Sequence, residues 1–169
     1  MNFARLAGVV ACALMTGTTW AADFAVGQIE LNDLWVRASV PGQINGAGYV
    51  EINNKSGQAD RLVSVQSDAA ARVELHTVLT ENGVAKMRQV EGGVDVPAHG
   101  SARLSPGGFH VMFLQLTAPF KLGATIPVVL KFEKAGEVRV DFAVKPPTYN
   151  PASQGEHGMM TGDHAGMKH

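Results

Sequence analysis

The chain has 169 residues, enough for one domain, with 46% hydrophobic and 17% charged residues, so it can bury a core. Lys plus Arg is 14 against 15 for Asp plus Glu, and a net charge of −1 gives no electrostatic basis for a nucleic-acid or anionic-membrane partner. A single Cys excludes an intramolecular disulfide, a thiolate zinc site and an iron–sulfur cluster, while 19 Gly and 8 Pro point to many turns and a β-rich fold.

Residues 1–21 read as an export signal. Arg5 is followed by an apolar run from Leu6 to Met15 and then by small residues. That run is far shorter than the roughly 20 residues of a membrane-spanning helix. The expected cut follows Ala21, with Thr19 and Ala21 at the two small-residue positions. A lipoprotein cut before Cys12 would leave too short an apolar segment ahead of it. The mature chain is then exported, expected in a bacterial periplasm, lacks cysteine and has no membrane span. A monomer is expected.

Residues 22–147 read as one β domain. Strands are predicted at Leu34–Ala38, Gly48–Ile52, Arg61–Gln66, Arg72–Val78, Val84–Val90, Ala102–Leu104, Phe109–Leu116, Ile126–Phe132 and Val138–Val144. Turn residues separate them, among them Pro41-Gly42, Gly92-Gly93 and Pro106-Gly107-Gly108. Short strands at this spacing indicate an antiparallel sandwich or barrel. Asn82-Gly83 between alternating runs predicts a hairpin. A short helical turn is predicted near Asp68–Ala71. Lys145-Pro146-Pro147 closes the last strand, because Pro cannot donate to a ladder. Residues 148–169 hold almost no core formers and are expected to form a disordered tail. Three of the 6 His and three of the 7 Met fall there: His157, Met159, Met160, His164, Met167 and His169. That composition suits metal, with Cu(II) held by imidazoles or Cu(I) by mixed donors.

In the body, His76, Met87, His110 and Met112 form a candidate metal set. His110 and Met112 are two apart on a predicted strand, so their side chains share a face about 6.5 Å apart. His76 and Met87 lie on the two arms of the Asn82-Gly83 hairpin and approach each other given a bulge or a modest register offset. Two thioethers and two imidazoles are uncharged, soft-to-intermediate donors, which suits Cu(I). Calcium and magnesium want oxygen, and zinc rarely accepts a thioether. Each residue also has a plainer reading, Met as core filler and His as a structural side chain. His99, in Val96-Pro97-Ala98-His99-Gly100, reads as an exposed turn residue.

The chain resembles the periplasmic copper chaperones of the PCu(A)C family. The residues that carry this are Trp35-Val36-Arg37, Ala47-Gly48-Tyr49 with Asn53-Asn54, Val73-Glu74-Leu75-His76, Gly83 before Met87, and Pro106-Gly107-Gly108-Phe109-His110-Val111-Met112. They span about Ile29–Val144. The family's His, Met, His-x-Met motif falls on His76, Met87, His110 and Met112. The gap before the His-x-Met pair is one residue longer than the family's, an excess that the Gly92–Ser105 loop region would absorb. The resemblance implies a cupredoxin-like antiparallel β-sandwich of Greek-key type and Cu(I) held near the surface. It also implies delivery toward the dinuclear copper centre of cytochrome c oxidase or to another copper-assembly protein. An electron-transfer cupredoxin is excluded by the missing Cys thiolate. No enzyme is expected, since too few body His remain for a multinuclear site. A copper-buffering or resistance protein without a dedicated acceptor is the alternative.

Overall fold

The computed structural model describes residues 24–151. The expected signal segment, Cys12 and all six His and Met residues of the tail lie outside the described residues.

Among the described residues eleven strands form: β1 (Phe24–Val26), β2 (Ile29–Arg37), β3 (Asn45–Asn54), β4 (Asp60–Gln66), β5 (Ala70–Glu81), β6 (Val84–Gln89), β7 (Val94–Val96), β8 (Ser101–Leu104), β9 (His110–Leu116), β10 (Thr125–Phe132) and β11 (Gly136–Lys145). They follow one hydrogen-bonded path, β6-β5-β9-β3-β2-β11-β10-β4-β7, with β1 added to β2 and β8 to β3. The path folds over a single core, giving the cupredoxin-like β-sandwich that the resemblance implies. All pairings are antiparallel except β2 with β11, which run parallel.

Alternation builds the core. In β9 Val111 and Phe113 are buried, and β5 adds Leu75 from the next strand. Phe132, Phe142, Leu31, Ile52 and Leu130 fill the interior from the remaining strands, while Trp35 is buried outside this cluster against Tyr49 and Tyr149. Each such side chain contributes about 1.5–3 kcal/mol of burial. Two glycines let β3 lie close against this layer. A Cβ on Gly48 would stand 3.0 Å from Val36 Cγ1 and 3.1 Å from Phe113 Cε2, and one on Gly46 would stand 2.8 Å from Phe120 Cε2.

Several expectations need correction. Residues 68–69 form a turn, and Ala70 already starts β5, so no helical turn forms there. The Gly92–Ser105 region holds, besides the predicted strand at Ala102–Leu104 (β8), a further strand, β7. β7 is only three residues long between Gly93 and Pro97, too short to show alternation. Phe109 precedes β9 and is exposed. Described structure also continues past the expected tail boundary at residue 148. Tyr149 packs edge-on against Trp35, with ring centroids 4.9 Å apart.

Candidate metal centre

The β5–β6 hairpin closes through Asn82 and Gly83, whose φ values of 52° and 79° are the pair of positive angles that a type I′ turn requires. The register is unbroken: Val78 faces Met87, and His76 faces Gln89. Met87 is therefore a diagonal neighbour of His76, and neither a bulge nor an offset is needed. β6 forms one edge of the sheet path and is exposed throughout, Met87 at 63%.

On its other side β5 pairs with β9. His76 stands directly opposite His110, and Glu74 opposite Met112. The two imidazole rings have centroids 5.9 Å apart and planes inclined by 55°. Met112 in turn faces Ala47 of β3. The small Ala47 methyl leaves open a surface cavity of about 490 Å³ lined by Met87, His110 and Met112, together with Tyr49, Ile44 and Val78. His76 does not line this cavity; its ring packs beside that of His110. Burial pushes the Tyr49 phenol upward, against the opposing charge of Arg37.

The imidazoles are held by opposite nitrogens. His110, 3% exposed, donates from Nδ1 to the Gly108 carbonyl at 3.0 Å. That carbonyl is fixed by a closed turn, in which Ser105 N donates to Phe109 O at 2.8 Å and Gly108 N to Ser105 O at 3.0 Å. His76 Nε2 lies 2.8 Å from Glu74 Oε2. A carboxylate accepts, so His76 donates from Nε2. This leaves His110 Nε2 and His76 Nδ1. Both are buried without a hydrogen-bond partner, and the described residues contain one other such side-chain nitrogen or oxygen, Arg37 Nε. Native interiors rarely leave polar atoms in this state without a reason. Burial lowers the His110 pKa below the ordinary histidine value; the Gly108 bond opposes this and the His76 ring adds to it. The imidazole is thereby favoured neutral, with its lone pair on Nε2.

The register thus brings His76, His110 and Met112 onto one face of adjacent strands and sets Met87 one diagonal step away. Glu74 was not among the candidates, although its position two residues before His76 on a strand already puts both on one face. Gly108 stands in the sequence as a turn residue and as part of the family motif, with no sign that its carbonyl anchors His110. His99 is an exposed turn residue with φ 48°. No group of three or more His, Cys, Asp or Glu suited to a metal occurs among the described residues. Any ion held here would need the thioethers.

The sequence profile described as "Putative lipoprotein LpqE-like" matches residues 29–144. The chain belongs to this LpqE-like, PCuAC-type family. It is 32% identical over 143 residues to "Putative lipoprotein Lxx21020" of Leifsonia xyli subsp. xyli (strain CTCB07), covering 84% of this chain and 85% of that protein. Among solved structures it is similar to the copper-bound PCuAC domain from PmoF2, with 28% identity and a TM-score of 0.63 over 75% of this chain and 99% of that one. It is likewise similar to the Cu(I) form of DR1885 from Deinococcus radiodurans, at 30% identity and a TM-score of 0.56, over 74% of this chain and 81% of that one.

Proposed function

We propose that this PCuAC-type protein is an exported copper carrier that holds Cu(I) through His76 Nδ1, His110 Nε2 and the sulfurs of Met87 and Met112. One observation carries this reading: two neighbouring imidazoles each keep a buried nitrogen without a partner, beside a cavity lined by two thioethers. The donors fit the ion. Neutral nitrogen and thioether sulfur suit soft, monovalent copper, and neither sulfur has to lose a proton. The copper forms of two similar structures support the choice of metal. Exposed Met87 on an edge hairpin is the ligand that an acceptor reaches first, so exchange starts there and ends at buried His110.

Export is supported by the n-region, apolar run and small residues of positions 1–21 and by the lipoprotein description of the family. The mass of the mature protein separates a cut after Ala21 from a lipid-modified Cys12. The reading continues to a periplasmic role, delivering copper to the dinuclear centre of cytochrome c oxidase, with the His157–His169 tail as an accessory copper site. The body site is tested by titrating a chain ending at Pro151 with Cu(I) against a chelator. The double variant His110→Ala, Met112→Ala loses at least about 100-fold in affinity, roughly 2.7 kcal/mol. Unchanged affinity excludes the site. Deleting the gene separates delivery from buffering: loss of oxidase activity rescued by added copper supports delivery, and copper sensitivity alone supports buffering.

A further inference from the structure

Two anchors orient the two imidazoles, and they differ in kind. His110 is held by a main-chain carbonyl that no side-chain substitution removes. His76 is held by the side chain of Glu74. We propose that Glu74 is the positioning residue of the copper centre, fixing the His76 ring with its proton on Nε2 so that Nδ1 is the copper donor. This rests on the reading of His76 as a ligand.

Three observations carry it. Glu74 and His76 are two apart on β5, so their side chains share a face, and Glu74 Oε2 meets His76 Nε2 at 2.8 Å. The remaining His76 nitrogen is buried and unpaired; a proton there would be stranded without an acceptor, so Nδ1 carries the lone pair. Glu74 is itself held from the far side: Arg72 Nη1 lies 3.7 Å from Oε1, while Oε2 serves the imidazole. The carboxylate thus bridges a surface guanidinium and a ligand ring. A hydrogen-bond acceptor behind a ligating histidine fixes the ring and its tautomer and raises the basicity of the metal-binding nitrogen. The donors offered to copper would then be Nδ1 of His76 and Nε2 of His110.

The test uses the full mature chain and two substitutions. In Glu74→Gln the amide oxygen still accepts from Nε2; in Glu74→Ala nothing does. Long-range proton–nitrogen NMR of the apo protein reads the tautomer directly. Parent and Glu74→Gln show His76 as the Nε2–H form, while Glu74→Ala shows a mixture. Cu(I) affinity, measured by chelator competition, falls about ten-fold or more in Glu74→Ala and stays within a few-fold in Glu74→Gln. A folded Glu74→Ala protein that keeps the Nε2–H tautomer, or keeps parental affinity, overturns the proposal. His76→Ala tells the two claims apart. If it leaves affinity unchanged, His76 is not a ligand and the underlying reading falls as well. If it weakens binding while Glu74→Ala does not, only the role of Glu74 is lost.

Discussion

Two clusters of buried polar groups lie in this sandwich, and they end differently. Around Asp60 the carboxylate accepts from the main-chain N–H of Arg61, Lys134 and Ala135 at 2.7, 2.9 and 2.9 Å. Nearby, Asn54 donates to Gln58 O at 2.8 Å and accepts from Ser56 N and Oγ. No buried side-chain atom of either residue is left without a partner. At the β5–β9 pair the same accounting leaves one nitrogen on each imidazole unused. An unsatisfied buried polar atom costs about 1–3 kcal/mol. The contrast fits the proposed reading, in which the Asp60 cluster is structural and the two neighbouring imidazoles hold an ion.

The sharpest break in this contrast comes from deleting the satisfied carboxylate. Asp60→Ala strands three main-chain donors and is expected to cost about 3 kcal/mol by chemical denaturation, with Cu(I) affinity unchanged. His110→Leu should do the reverse. It removes a buried nitrogen that has no partner in the apo state together with the Nδ1 bond to Gly108 O, two changes of opposite sign, so apo stability stays within about 1 kcal/mol of the parent, while copper binding collapses. A loss as large as that of Asp60→Ala would mean that His110 is a structural residue.

Acid separates the clusters by pH window. The His110 pKa is lowered by burial, so its contribution to apo stability is complete above the unfolded value of about 6.5 and is lost as pH falls through the lower folded value. Asp60 responds in a lower window. Burial works to raise its carboxyl, but the three N–H bonds and the Lys134 charge prevail and hold it below the usual carboxylate range. Its contribution is present above the unfolded value of about 3.9 and is lost as pH falls through the folded value. Denaturation of apo protein across pH should therefore weaken in two steps. Loading with Cu(I) should displace the upper step to lower pH, because the ion competes with the proton for the His110 imidazole. An upper step that copper does not move would argue against imidazole ligation.

The smallest effect lies in the hairpin. Gly83→Ala forces a Cβ onto φ 79° and should cost about 1 kcal/mol, with a few-fold loss of Cu(I) affinity as the Met87 arm loosens. A copper affinity unchanged in a hairpin shown by hydrogen exchange to open more often would mean that Met87 is not a ligand.

Much of this arrangement is legible in the sequence. Alternation in Phe109–Leu116 set His110 and Met112 on one face, and Asn82-Gly83 fixed the hairpin that carries Met87. The parallel pairing of β2 with β11 was not legible, because it is set by how the last strand returns across the core rather than by local pattern. β7 was missed because three residues carry no period. The exact facing of His76 and His110 depends on the register of strands 34 positions apart, which no local signal reports. Glu74 was within reach, since its parity with His76 is plain in the sequence. Its hydrogen bond to His76 depends on the rotamers of both side chains, which a sequence pattern does not carry.

X-ray absorption at the copper edge, on Cu(I)-loaded chain ending at Pro151, tests the central claim most directly. The account predicts imidazole nitrogen and thioether sulfur together in the first coordination sphere, with sulfur scattering halved in Met112→Leu and nitrogen scattering halved in His76→Ala. A sphere without sulfur, or one that neither substitution changes, would contradict it.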